Sequence, residues 1–231
     1  MNQLGDFEKK TKIVFKNKNL LKQAFIHRSF INENPRAGLS HNERLEFLGD
    51  AVLELVVTCF LYKKYSNYTE GELTALRSAL VNSVIIAEIA SNIGMNDFLL
   101  LSKGESKDKG KARAYILANT YEAYIGALYL DQGYVVVDKF ITNTLLPKTE
   151  EIVSKKLWRD AKSLVQEKAQ EYVGVTPSYK VLSESGPDHD KYFIIGILFG
   201  NNLVAEGKGK SKQEGEQKAA ESALKTKHWL D

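Results

Sequence analysis

The sequence predicts a multi-domain chain, an all-α domain followed by a smaller α+β domain with the order α-β-β-β-α. Two observations carry this. From Leu20 to about Leu157, apolar residues recur at three- and four-residue steps, the spacing of amphipathic helices, and no strand-like alternation stands out. From about Asp160 that spacing gives way to short strand-like runs bounded by turn residues. A length of 231 residues suits one large domain or two smaller ones, and the change of pattern decides for two.

In the first part, Leu73, Leu76, Leu80 and Val81 form one helical set, and Ile85, Ile86, Ile89 and Ile93 another. Breaks fall at Asn34-Pro35, the Asn67/Gly71 region, Gly94, the charged stretch Lys103–Arg113 and Gly133. The boundary is expected near Lys155–Asp160, giving domains 1–157 and 158–231. In the second part, Ala161–Tyr172 reads as a helix, and Ser178–Ser183, Tyr192–Phe199 and Leu203–Lys208 read as strands, with a turn at Asn201-Asn202. A last helix runs from Lys212 to about Thr226. Ser211 is its N-cap, and Ser211 and Glu214 have the spacing of a capping box.

Composition bounds the functions. The single cysteine, Cys59, excludes an internal disulfide and a cysteine-rich zinc site, and it suits a reducing, cytoplasmic compartment. No run approaches the roughly 18 apolar residues of a membrane span, and the charged start MNQLGDFEKKTK has no signal-peptide core. A net charge of +3 does not by itself mark a nucleic-acid binder.

The most informative stretch is His41–Glu54. On a helix, Leu45, Leu48, Val52, Leu55, Val56 and Cys59 form an apolar stripe, while Glu43, Glu46, Asp50 and Glu54 gather on the opposite side. None of these acids has Lys or Arg four residues on. Glu46–Asp50 and Asp50–Glu54 are like-charge pairs, each costing about 0.2–0.5 kcal/mol if ionised. One reading is a solvated face; the other is a divalent-cation site. A second helix, Tyr115–Leu130, has only Asn119, Thr120 and Glu122 as plainly polar members, so it reads as a core helix. A carboxylate there needs a partner or a metal. Gly126, one turn past Glu122, implies another helix packed closely. If the two helices pack together, Glu46, Asp50, Asn119 and Glu122 converge. Oxygen-only donors suit Mg²⁺ or Mn²⁺. A buried, hydrogen-bonded polar pair is the competing reading of Asn119 and Glu122.

At these residues the chain resembles the ribonuclease III family. The segment Asn42-Glu43-Arg44-Leu45-Glu46-Phe47-Leu48-Gly49-Asp50-Ala51-Val52-Leu53 is similar to that family's signature, and His27-Arg28-Ser29 and Ile116–Gly126 fall where its pattern has similar stretches. The resemblance implies a homodimeric, all-helical nuclease domain whose acids bind Mg²⁺, with Mn²⁺ as a substitute. Water would cleave a phosphodiester in each strand of double-stranded RNA, leaving 5′-phosphates and 3′-hydroxyls. Ribosomal RNA precursors and structured messenger RNA are the implied substrates. Glu46, Asp50 and Glu122 match the metal-binding acids, with Asp50 and Glu122 central to catalysis. Glu43 and Glu70 fall near the implied catalytic valley. Asn119 departs from the family, which usually has Asp there.

The second part resembles the double-stranded RNA-binding domain at Pro177-Ser178-Tyr179, Gly186-Pro187-Asp188-His189, Phe193, Gly207–Lys212 and Glu216–Ala220. Such a domain reads A-form shape across two minor grooves and the phosphates between. By resemblance, Gln166 and Gln170 would face one groove and His189 the next, while Lys210, Ser211, Lys212 and Lys218 would hold phosphates. Gln213 stands where the family commonly has a second lysine. Gly215 replaces the common Ala and is expected to loosen the helix start.

Two functions follow. One is an Mg²⁺-dependent endoribonuclease for double-stranded RNA. The other is a non-cleaving RNA-binding protein on the same scaffold, which only Asn119 favours. Cys59 is expected in the core, His27 in a structural hydrogen bond, and Tyr115, Tyr121, Tyr124 and Tyr129 in core or dimer packing.

Overall fold

In the computed structural model, which describes residues 3–108, 110–155, 161–187 and 191–229, the chain divides into two compact units, Met1–Trp158 and Arg159–Asp231. The expected boundary, at 157/158, lies outside the described residues.

The first unit is helical: α1 (Gln3–Thr11), α2 (Lys18–Ala24), α3 (Arg28–Glu33), α4 (Glu43–Lys64), α5 (Glu70–Leu80), α6 (Ser83–Asn92), α7 (Lys111–Gln132), α8 (Tyr134–Thr144) and α9 (Lys148–Ser154). Its one described extended pairing is an isolated parallel bridge between Ile26 and Leu100. Helix α7 runs through the centre, with Tyr121, Ala123, Tyr124, Ile125, Ala127 and Leu128 fully buried. Helix α1 has no counterpart in the sequence reading, because its two large apolar residues, Leu4 and Phe7, stand in a charged stretch. Phe7 is fully buried and meets Phe25, Phe98 and Tyr124 edge-on, with ring centroids 5.0–5.3 Å apart. Helix α5 starts at a capping box between Thr69 and Glu72, a signal the sequence reading passed over.

Helix α4 departs from the expected stripe. Leu45, Val52 and Val56 are buried, but Leu55 is 52% exposed and Cys59 only half-buried, whereas Leu53 and Val57 are fully buried. The helix packs against both α7 and α5, so its buried face turns toward Gly49, Leu53 and Val57. The tyrosines split likewise. Tyr121 and Tyr124 are core, whereas Tyr115 and Tyr129 are exposed at the ends of α7.

The second unit comprises α10 (Ala161–Val173), an antiparallel sheet ordered β1 (Pro177–Ser185), β2 (Tyr192–Phe199) and β3 (Asn202–Gly209), and α11 (Lys212–Thr226). Both helices contribute to one core on the sheet: Val165 and Ala169 from α10, Ile197 and Phe199 from β2, and Ala219, Ala220 and Ala223 from α11. Trp229 closes it, stacked on Phe199 at 5.6 Å. Gly215 does not simply loosen the start of α11. A Cβ there would stand 2.5 Å from Ile195 Cγ1, so the glycine lets the helix lie flat on β2. Ser211 caps α11 as expected by accepting from the Glu214 amide at 3.1 Å. The reciprocal arm differs: the Glu214 carboxylate accepts from the backbone of Lys210, at 2.7 Å.

Helices α4 and α7 cross at glycines. A Cβ on Gly49 would overlap the carbonyl oxygen of Glu122, and one on Gly126 would overlap that of Leu45. Overpacking a well-filled contact costs about 1–3 kcal/mol, occasionally more. Here the obstacle is backbone, which cannot rotate aside. Gly49→Ala should therefore lower stability by at least about 3 kcal/mol, read as the urea midpoint of the purified protein. A midpoint unchanged from the parent would show that the helices do not cross this closely.

Candidate active site and RNA-binding face

The start of α4 is held from behind. Asn42 is buried, and its side-chain amide donates to the Ala24 carbonyl (3.1 Å) while its backbone N–H donates to that of Ile26 (2.9 Å). Gln23 donates to the His41 carbonyl at 3.0 Å. The α2–α3 corner thus sets where α4 begins, and with it the direction of its acids. Glu43 and Glu46 occupy the first turn, where the helix dipole favours carboxylates.

Glu46 and Asp50 flank Gly49 on α4; Glu122 and half-buried Asn119 share one face of α7, one turn and two turns before Gly126. Burial dominates at all three acids, and Glu122 also feels the other two. Burial raises the pKa of Glu122 to about 8, with further increments from Asp50 and then Glu46. Glu46 is raised by burial, then by Glu43 and Asp50. Asp50 is raised by burial, then by Glu54. Among the described residues none of the three has a Lys, Arg or hydrogen-bonding partner, and the Asn119 side chain makes no hydrogen bond. A buried, hydrogen-bonded polar pair is therefore not what Asn119 and Glu122 form.

The other acids differ. Glu43 lies 3.6 Å from Arg28 and 3.8 Å from His41, so it is already paired. Glu70 sits in the first turn of α5 and accepts from the Thr74 hydroxyl at 3.1 Å; it is not among the charges acting on the trio. His27 is structural. Its Nδ1 meets Ser29 Oγ at 2.8 Å, and that oxygen accepts from the backbone of Ser102 at 3.0 Å. Burial lowers the His27 pKa. Arg113 draws in the charged stretch Lys103–Arg113, donating to the carbonyls of Glu105 (2.8 Å) and Asp108 (3.2 Å).

Among the described residues no three His, Cys, Asp or Glu side chains are already gathered as a ligand set for one ion. The donor set nonetheless fits a hard divalent cation. It offers three carboxylates and an amide, all oxygen donors. The carboxylates lack cationic partners, and their raised proton affinity is the signature of negative charge awaiting a positive one. Sequence reasoning missed Gly49, although the argument applied to Gly126 held equally for it.

On the second unit, Gln166 and Gln170 are exposed one turn apart on α10, and Gln170 donates to Thr176 Oγ1 at 3.4 Å. Lys210, Ser211 and Lys212 are exposed at the start of α11. Ser211 Oγ is engaged in capping, and Lys218 is paired with Glu214 at 2.6 Å. His189 lies outside the described residues.

An all-helical unit with an unpartnered acidic cluster, followed by an α-β-β-β-α unit with lysines at a helix start, is the arrangement expected above of a double-strand-specific endoribonuclease. The comparisons agree. A family model described as Ribonuclease-III-like matches residues 17–149, and one described as Double-stranded RNA binding motif matches residues 161–227. Ribonuclease 3 of Borreliella burgdorferi is 42% identical over 97% of this chain and 91% of its own length. That of Streptococcus thermophilus is 43% identical over 97% of this chain and 98% of its own. The nuclease domain of the Campylobacter jejuni ribonuclease III, solved in a study of flexibility in its dimer-forming region, is 38% identical. It covers 63% of this chain and 99% of that domain, with a TM-score of 0.57. The chain belongs to the ribonuclease III family.

The pKa of Glu122 sets a pH dependence. The folded group releases its proton near pH 8, and the unfolded group near 4.5. Between those values the folded state holds the extra proton, so in chelator stability falls as pH rises through this window. Glu122→Gln should remove that slope and raise stability at pH 8 by about 2 kcal/mol, discounted for solvent and for coupling to Asp50 and Glu46. Thermal melts of both proteins at pH 5 and pH 8 check this. Parallel curves would place Glu122 in ordinary solvent.

Proposed function

We propose that this endoribonuclease hydrolyses phosphodiesters in both strands of duplex RNA with Mg²⁺, leaving 5′-phosphate and 3′-hydroxyl ends. Glu46, Asp50, Asn119 and Glu122 would hold the ion, and Mn²⁺ would substitute. The observation that carries this reading is three acids without a cationic partner at one helix crossing, where Glu122 is raised by burial and then by the charges of Asp50 and Glu46. When bound, the ion lowers the pKa of water and offsets charge on the phosphate. The carboxylates supply the charge that attracts it, and the half-buried position of Glu122 makes that attraction stronger than in water. Glu122 must be deprotonated to serve, so activation by Mg²⁺ should strengthen with pH toward about 8. Asn119 offers a carbonyl oxygen and no charge. Glu43 borders the site through its charge on Glu46, and Glu70 is assigned near the catalytic valley by the family resemblance alone.

Gln166, Gln170, His189, Lys210, Ser211, Lys212 and Lys218 would form the duplex-binding face, the glutamines and histidine at minor grooves and the lysines at phosphates. Phe47 is 83% exposed and Tyr62 73% exposed on α4, together with Leu55. This apolar surface supports a homodimer formed by the helical unit. Among the described residues no single helix is long and apolar enough to cross a membrane. We place the protein in the cytoplasm, acting on ribosomal RNA precursors and structured messenger RNA.

The test is cleavage of an end-labelled RNA duplex in Mg²⁺. The parent should cut both strands. Glu122→Gln should bind the duplex equally but lose more than about 100-fold in turnover, the upper end of what removing even an outer-shell partner costs. Near-normal turnover would take Glu122 out of the ligand set. A parent that binds without cutting would return the non-cleaving reading.

Asn119→Asp probes the departure from the family. A carboxylate holds hard cations more tightly than an amide, and ligand charge tunes affinity. The Mg²⁺ concentration for half-maximal cleavage should fall several-fold, while the melting temperature in chelator drops because a fourth like charge joins the cluster. An unchanged Mg²⁺ midpoint would remove Asn119 from the set.

A further inference from the structure

Helices α1, α6 and α8 border a cavity of about 760 Å³ that none of the acids at the helix crossing lines. Pockets for small molecules run from about 300 to 1,000 Å³. The apolar lining here is Ile13, Ile93, Val136 and Phe140, all buried or half-buried. The charged lining has one sign. Lys10, Lys12 and Lys139 line the cavity, and among the described residues no Asp or Glu does.

The three lysines differ in what holds them. Lys10 is partly committed: its Nζ lies 3.9 Å from Asp97 and 5.7 Å from the centre of the Phe98 ring. Lys12 and Lys139 are exposed, and among the described residues neither ammonium group has an ion pair, a hydrogen bond or a ring contact. Lys12 also keeps its side chain at φ 57°, where glycine would sit with less strain. The ordinary account of such lysines is that they offset the negative ends of helices. The ends of α1, α6 and α8 bring about half a negative charge each. Lys12 and Lys139 together exceed that sum, with Lys10 left to Asp97, so the cavity keeps a positive excess.

The neutral polar groups divide in the same way. The Thr11 hydroxyl donates to the Phe7 carbonyl at 3.1 Å, and that of Thr144 to the Phe140 carbonyl at 2.8 Å. Both are spent inside the fold. The carboxamides of Asn92, which ends α6, and Asn143, next to the end of α8, have no hydrogen-bond partner among the described residues. Each presents a donor beside an acceptor, the pair that matches the N6 and N7 edge of adenine. A bare phosphate would leave the apolar lining unused, and an apolar molecule would leave the lysines unanswered.

We infer that this cavity binds a free nucleoside phosphate, with Lys12 and Lys139 on the phosphates, the apolar lining against the base, and a carboxamide at the base edge. Binding there involves none of Glu46, Asp50 and Glu122.

The experiment uses the full chain in chelator and phosphate-free buffer, with ADP as the probe, titrated by calorimetry. ADP should saturate at one per chain. Adenosine and inorganic pyrophosphate, each lacking half of the ligand, should bind at least about tenfold more weakly. Lys12→Gln/Lys139→Gln should weaken ADP binding at least about tenfold, the loss of two charge-assisted hydrogen bonds, and leave the melting curve and duplex cleavage as in the parent. Lys210→Gln/Lys212→Gln should bind ADP like the parent, and a 20-base-pair RNA duplex should not displace it. Lys139→Glu serves as a second variant if the double variant melts early. Absence of saturable ADP binding overturns the inference, as does parental ADP affinity in a folded Lys12/Lys139 or Lys139→Glu variant. Pyrophosphate bound as tightly as ADP would reduce the cavity to an anion site, and that overturns it too. Displacement by duplex, or loss of ADP in Lys210→Gln/Lys212→Gln, would move the binding to the RNA face and overturn it equally.

Discussion

The close crossing of α4 and α7 at Gly49 and Gly126 is the constraint on which the helical unit depends. It brings two backbones to a distance at which neither position tolerates a methyl group. Each glycine in a helix interior costs about 1 kcal/mol against alanine, and both lie in the two longest helices of the chain. What the crossing provides is register. With the glycines apposed, Glu46 and Asp50 on one helix come within electrostatic reach of Glu122 on the other. A crossing one turn away would put Glu122 against the apolar residues of α4. The buried Asn42 fixes the other end of the same arrangement by tying the start of α4 to the α2–α3 corner.

That arrangement explains why the acids behave differently from one another. Glu43 and Glu54 sit on the same helix at helical spacing, yet both are exposed, and Glu43 is paired with Arg28 and His41. Glu46 and Glu122 are half-buried; Asp50 is exposed at the surface, yet desolvation by the protein around it still raises its pKa, and none of the three is paired. Sequence spacing alone could not separate these groups, because it places all four α4 acids on one side. The separation comes from the neighbouring helix, which covers one part of that side and leaves the rest in water.

How far the sequence could be read follows from where its information lies. The helical and strand-bearing halves were legible because their periodicities differ, and the three strands came within a residue or two of their observed ends. Gly126 was legible as a packing glycine because nothing else explains a glycine inside an apolar helix. Gly49 was hidden by its polar neighbours, although the same cost applied. Helix α1 was illegible because one Leu4–Phe7 step among charges is too short to establish a period, and the burial of Phe7 is decided by Phe25, Phe98 and Tyr124, all distant in sequence. The α4 stripe was drawn for one partner when the helix has two, so Leu55 was misplaced and Leu53 undervalued. Glu214 matched a capping box by spacing, but its carboxylate went to Lys210, because the strand leading into α11 presents that N–H directly.

The Glu214 carboxylate has one more consequence. It holds the ammonium group of Lys218 and a backbone N–H at the helix start, so the protein carries its own anion where phosphate oxygens are expected. Arrival of RNA there is an exchange of one carboxylate for one phosphate. Lys218 should accordingly add less to affinity than an unpaired lysine would, although its contact with a phosphate still frees a cation condensed on the RNA and so keeps its share of the salt dependence.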